Sequence, residues 1–122
     1  MSTAAPANGF DERSDESPVS RGRVVFLIRV PQDRQPAFLA AYEEIRHLVA
    51  AGVPGHLVDQ VCRSGDDPEQ WLITSEWADL AAFRAWERSA EHRELVAPLR
   101  ACITEARSLK FVVVAQTEAV RT

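Results

Sequence analysis

The segment Trp71-Leu-Ile-Thr-Ser-Glu-Trp77 alternates with a period of two and passes almost directly into Ala78–Trp86, where Leu80, Phe83 and Trp86 recur at helical spacing. A strand joined so tightly to an amphipathic helix leaves little freedom in how the two pack. Trp71, Ile73, Ser75 and Trp77 must share one strand face, and the apolar stripe of the helix must close on that neighbourhood. Three Trp in 122 residues is a heavy use of indole, and rings that converge in this way either fill a core or wall a pocket for a flat, apolar ligand.

The remaining elements are set by periodicity and breakers. Arg23–Val30 is a β-branched and aromatic run closed by Pro31, which reads as a first strand. Asp33 is a candidate N-cap and Pro36 fits a first turn. Phe38, Tyr42, Ile45 and Val49 then trace one helical stripe up to Gly52. Val53-Pro54-Gly55 is a turn, His56–Arg63 alternates as a strand, and Ser64–Pro68 reverses the chain into the Trp strand as an antiparallel hairpin. Asp79 caps the second helix, which lasts until about Arg88, and Ser89 or Glu91 opens a third. In that third segment Leu95, Leu99, Cys102, Ile103 and Ala106 share a face, and Pro98 should kink or split it. Leu109–Gln116 reads as the last strand.

The order β-α-β-β-α-α-β predicts an α+β, ferredoxin-like fold with all helices on one side of a four-stranded antiparallel sheet. Val25 and Leu27 alternate with Val24, Phe26 and Ile28, so the strands are apolar on both faces. The bare face then needs a cover, and a homodimer packed sheet to sheet, a dimeric α+β barrel, is expected. The domain is expected over residues 22–117. Residues 1–21, poor in apolar side chains, are expected to be a disordered tail and residues 118–122 a polar C-terminal tail.

Composition narrows the functional classes. The net charge is -4 and the 14 Lys+Arg are dispersed, so no phosphate-tracking surface is apparent and nucleic acid is not an expected partner. No stretch reaches the length of a membrane span and no signal-peptide pattern opens the chain, which points away from a membrane and towards the cytoplasm. Cys62 and Cys102 lack metal-ligand spacing and read as small buried hydrophobes, without disulfide or zinc. Glycine-rich phosphate loops, GxGxxG, HExxH and GxSxG are all absent, so what remains is a site free of organic cofactor and metal, or a binding pocket.

Within such a pocket, Trp77 is either a core-filling ring or a wall whose N–H meets a substrate oxygen, with Ser75 pointing the same way. Phe83 and Trp86 would be further wall residues. His92, in the first turn of the third helix, is either a helix-end residue or a proton acceptor near neutral pH. His47 and His56 read as solvated and strand-end residues. Glu76 and Thr74 point to the opposite face, where Arg29 or Arg63 would pair with the carboxylate.

Val53-Pro-Gly55, the strand-end Trp77 in Ser75-Glu76-Trp77, and Phe83-Arg-Ala-Trp-Glu-Arg-Ser89-Ala-Glu-His92 together resemble the antibiotic biosynthesis monooxygenase (ABM) domain, over roughly Arg23 to Gln116. The likeness is closest to members encoded beside bacterial aromatic polyketide synthases. The resemblance implies a dimeric ferredoxin-like barrel and, for some members, oxidation of phenolic polycyclic substrates to quinones by molecular oxygen with neither flavin nor metal. Trp77 matches the family Trp and Phe83 an aromatic on the following helix. Ile73 stands where quinone-forming members carry an Asn, and Cys62 where they carry a His on the preceding strand, so the resemblance implies a proton relay that is either absent here or rebuilt from Ser75 and His92. Heme is disfavoured, since Val24–Val30 contains no Asn and Val96 occupies the ligand position of heme-degrading relatives.

The function expected is a cofactor-independent monooxygenase acting on a small aromatic polyketide, with molecular oxygen as co-substrate. Trp77 and His92 are its candidate catalytic residues, and Ser75, Phe83, Trp86 and Ile73 would contact the substrate. A cyclase-like or accessory protein of the same pathway and a non-catalytic dimeric binding module are the alternatives.

Overall fold

The computed structural model describes residues 20–120. Its elements are β1 (Gly22–Arg29), a 3-10 turn (Gln32–Arg34), α1 (Gln35–Gly52), β2 (His56–Arg63), β3 (Gln70–Trp77), α2 (Leu80–Arg88), α3 (Ala90–Arg100) and β4 (Glu105–Val112). The strands form one antiparallel sheet in the order β2-β3-β1-β4, the split βαβ arrangement expected from the sequence. Of the expected N-terminal tail, residues 1–19 lie outside the described part, as do 121–122 of the C-terminal one.

Three local rules set the ends of the helices near the site. Asp79 accepts a hydrogen bond from the Ala82 amide at 2.8 Å and so caps α2. Ser89 does the same for α3 through the His92 amide at 3.0 Å, fixing the approach of that histidine. Gly55 adopts φ 86, a region L side chains avoid, and a Cβ built there would lie 2.5 Å from the Ala82 Cβ. Its carbonyl accepts from the Ala78 amide at 2.7 Å, so the turn before β2 is tied to the β3–α2 junction.

The helix-facing side of the sheet has two unlike ends. At one, Ile28, Val30, Phe38, Trp71, Leu99 and Cys102 form a continuous buried cluster, with the Trp71 and Phe38 rings edge to face at 5.5 Å. At the other, Gly22 faces Trp77 across β1 and β3. A Cβ on Gly22 would meet the Leu80 side chain at 2.8 Å, so the bare glycine lets α2 come close. On the opposite sheet face Val25, Leu27, Leu72 and Leu109 alternate with the inward set, and no helix among the described residues covers them.

Several boundaries differ from the sequence expectation. Asp33 lies in the 3-10 turn, and α1 begins at Gln35 with no side-chain cap. α3 stops at Arg100 with Pro98 in its last turn, and the Thr104 amide donates to the Arg29 carbonyl at 2.9 Å as the chain leaves the turn. β4 therefore starts at Glu105 rather than Leu109, and Ala106 is a strand residue, because the ladder to β1 fixes the register as Arg29↔Glu105 through Gly22↔Val112. The apolar run at Val112 to Val114 imitated a strand centre but lies largely in solvent. Cys102 is buried and Cys62 is exposed on the bare face, so only the former is a buried hydrophobe. Glu76 pairs with Arg23 at 3.5 Å and Arg21 at 3.9 Å, since Arg23 stands directly opposite it in the register. Arg29 is instead held by Asp67 and Glu69 at the far end of the sheet, and Arg63 lies over the Trp71 ring.

Gly55→Ala should lower stability by about 2 kcal/mol through left-handed strain and the clash with Ala82. Gly52→Ala, at a helix end with nothing within 4 Å, should be neutral or stabilising by up to about 1 kcal/mol. Urea midpoints of the two variants check the contrast.

Candidate functional site

The Trp77 end of the sheet is hollow. A cavity of about 340 Å³ opens between the sheet and all three helices, and Ile73, Ser75, Trp77, Phe83, Trp86 and His92, each singled out from the sequence, all line it. Strict alternation on β3 delivers the first three, and the i, i+3 spacing of α2 delivers Phe83 and Trp86. Val24 and Phe26 of β1 supply the floor next to them, and Val96 and Leu99 of α3 the far wall.

Ring packing orders the walls. Trp77 meets His56 and Phe83 edge to face, each at 5.3 Å, and Trp86 meets His92 in the same way at 5.3 Å. Trp77 is nearly sealed, at 2% exposure, and its indole N–H donates to the Ser75 hydroxyl at 2.9 Å. Ser75 sits two residues back on the same face and takes this bond. Ser75 Oγ then acts as acceptor while its own O–H has no acceptor among the described residues. The hydrogen-bonding potential of the indole thus reaches the cavity through a serine hydroxyl.

The polar lining is sparse. Glu87 pairs with Lys110 at 3.4 Å, and Lys110 stands over the Phe83 ring at 5.6 Å. Arg46 and Arg100 flank the cavity from α1 and α3. The half-buried His92 ring has no hydrogen-bond partner among the described residues. Burial, followed by the charge of Arg100, pushes its pKa below the ordinary 6.5, so it is a neutral imidazole near pH 7. His47, by contrast, is solvated and paired with Glu43 at 3.0 Å, as its position off the apolar stripe implied.

One group of polar residues escaped the sequence reading. His56, read as a plain strand-end residue, has a side chain only 7% exposed and meets Asp59 with Nε2 to Oδ1 at 2.8 Å. Tyr42, read as part of the α1 stripe, donates its hydroxyl to Asp59 Oδ2, and burial followed by that bond raises its pKa far above the usual phenol value. All three residues line the cavity. The cause of the miss is a β-bulge. The register shifts between His56 and Val58, so Leu57 is the extra residue and His56, Asp59 and Val61 come to share the inner face opposite Trp77, Ser75 and Ile73. A Gly directly before His56 was the one sign available in the sequence.

Among the described residues, no group of three or more His, Cys, Asp or Glu side chains converges to hold a metal, and no helix is long and apolar enough to cross a membrane.

The model of a family described as antibiotic biosynthesis monooxygenase matches residues 22–98. The 42.8 kDa protein in the whiE locus of Streptomyces coelicolor is 48% identical over 99 residues, covering 81% of this chain and 25% of that protein. The polyketide synthase CurD of Streptomyces cyaneus is 46% identical over 98 residues, covering 80% and 26% respectively. The chain thus spans about a quarter of the length of these relatives. Among solved structures, the cofactor-independent oxygenase SnoaB from Streptomyces nogalater superposes with a TM-score of 0.69 at 19% identity, covering 80% of this chain and 96% of that one, a likeness of fold.

The lowered His92 value has a consequence for stability. Between that value and 6.5 the unfolded chain binds more protons than the folded one, so stability should rise with pH across this window and be lost as the pH falls through it. An NMR titration should place the His92 midpoint below 6.5, and His92→Gln should flatten the fall in urea midpoint on acidification.

Proposed function

The chain belongs to the antibiotic biosynthesis monooxygenase family, and on that premise we propose that it oxidises a phenolic polycyclic intermediate of aromatic polyketide biosynthesis, using molecular oxygen without flavin, heme or metal. The observation that carries this reading is the hollow between Trp77, Phe83 and Trp86, whose aromatic walls and sparse polar groups suit a flat, hydroxylated ring system. The naming of CurD as a polyketide synthase and of SnoaB as a cofactor-independent oxygenase supports it.

The chemistry asks little of the protein. Loss of a proton from an anthrone-type phenol leaves an anion electron-rich enough to reduce oxygen. A ring methylene then becomes a carbonyl, with one oxygen atom of O₂ in the product and the other released as water. The site must bind the rings, accept a proton and hold the developing anion. Phe83, Trp86 and Ile73 bind the rings, and Ser75, its oxygen polarised by the Trp77 N–H, donates to the developing oxyanion. Trp77 acts through Ser75 and through the packing of His56, while the neutral His92 accepts a hydrogen bond from a substrate hydroxyl. Two copies joined through the bare sheet faces would complete the molecule, covering Val25, Leu27, Leu72 and Leu109.

A second reading, in which the cavity shapes a polyketide without oxidising it, is favoured by Ile73, an apolar side chain in the wall where quinone-forming relatives carry an amide. Oxygen uptake separates the two. Metal-free, colourless protein should consume one O₂ per dihydroxyanthrone converted to the quinone. Ser75→Ala should slow this by about a hundredfold, as loss of one oxyanion donor does, with KM little changed. Binding of the anthrone without oxygen consumption would leave the shaping role.

A further inference from the structure

Two histidines reach the cavity, and their surroundings assign them different capacities. His92 has no hydrogen-bonded carboxylate, and both its burial and Arg100 oppose a positive charge on its ring. His56 is built into a chain. An ionised carboxylate can only accept, so the 2.8 Å contact with Asp59 Oδ1 requires the proton on Nε2 of His56. That leaves Nδ1 as the nitrogen with a lone pair, and it has no partner among the described residues. Asp59 is itself fixed by the Tyr42 hydroxyl on its other oxygen. The high pKa of Tyr42 keeps that hydroxyl protonated and donating at any working pH. The His56 ring plane is fixed by the edge-to-face contact with Trp77 at 5.3 Å. A base, a carboxylate that orients it and a donor that orients the carboxylate therefore come from β2, its bulge and α1 into one cavity wall.

We propose that His56 is the residue that takes the phenolic proton in this site, with Asp59 and Tyr42 as positioning residues. This role rests on the monooxygenase reading only for the oxidation that comes after the proton transfer. In the step, the phenolic O–H bond breaks, its electron pair stays on the substrate oxygen, and the proton forms an N–H bond at His56 Nδ1. The resulting imidazolium has its counter-charge at Asp59 through the Nε2–H bond. His92 serves as a neutral hydrogen-bond acceptor for a second hydroxyl. The charged and titratable groups around His56 are Asp59 on its own strand, Tyr42 and Arg46 from α1, and Glu87, His92 and Arg100 across the cavity from α2 and α3.

The test uses dihydroxyanthraquinone, a phenol that needs no oxidation to be seen, because its phenolate absorbs at longer wavelength than its neutral form. Bound to the wild-type protein it should show the phenolate band at a pH where the free dye is neutral. Asp59→Asn, isosteric with the native side chain, should bind the dye within about threefold of wild type. It should need a pH at least about one unit higher to develop the band, a tenfold change in the proton-transfer equilibrium. His56→Gln should lose the shift altogether, and Tyr42→Phe should lose part of it. A clasp that merely held α1 to β2 would lower the melting temperature and leave the band where it was, which would overturn the proposal. So would an unshifted band in folded His56→Gln, or a wild type that binds the dye only in its neutral form or not at all. Oxygen uptake with dihydroxyanthrone, measured separately, tests the other reading. A shifted band without oxygen consumption leaves His56 as the base and removes the monooxygenase. In an active protein, Asp59→Asn should reduce turnover by about a hundredfold or more and move the acidic limb of its pH profile.

Discussion

Two indoles on one face of one strand govern this molecule. Trp71 and Trp77 lie six residues apart on β3, about 20 Å along an extended chain, too far to touch the same neighbours. Trp71 finds Phe38, Ile28 and Leu99 and closes a solid core. Trp77 finds Phe83 and His56, rings that meet it edge-on and leave a space bounded by α2 and α3. The same side-chain type thus stabilises one end of the sheet and walls the other. What distinguishes the hollow end is the glycine of β1 opposite Trp77, which lets Leu80 of α2 come close, and the short β3–α2 connection.

At the hollow end most polar groups have a defined partner. Trp77 donates to Ser75, Lys110 bridges to Glu87, and Asp59 accepts from both His56 and Tyr42. In a wall with so few polar atoms, unpaired groups are costly, and those left with hydrogen-bonding capacity to spare are the ones a ligand can use. The Ser75 hydroxyl, one nitrogen of His56, the His92 ring and the Arg100 guanidinium belong to that set. They face a surface made largely of rings and aliphatic side chains, with Arg46, Glu87 and Ser108 among them, a lining that matches a planar molecule with oxygens on its edge.

Much of this was legible in the sequence. The element order, the inner face of β3, the caps at Asp79 and Ser89 and the six candidate residues converging on one volume all come from period and capping chemistry. Three things were not legible, each for a physical reason. Alternation cannot reveal a bulge, so the extra residue Leu57 hid the fact that His56 and Asp59 face the cavity together. An apolar stripe does not distinguish a tyrosine that fills a core from one that aims its hydroxyl at a carboxylate, and Tyr42 lies on such a stripe. The start of β4 depends on pairing with β1 rather than on its own composition, and the valines after Lys110 drew the boundary towards the C-terminus.

The hollow is the point on which the functional reading stands, and a structure with bound dihydroxyanthraquinone tests it most directly. The ring system should lie between Trp77, Phe83 and Trp86, with oxygen atoms within hydrogen-bonding distance of Ser75, His56 and His92. Side chains collapsed into that volume, or the dye bound only on the outer sheet face, would contradict it.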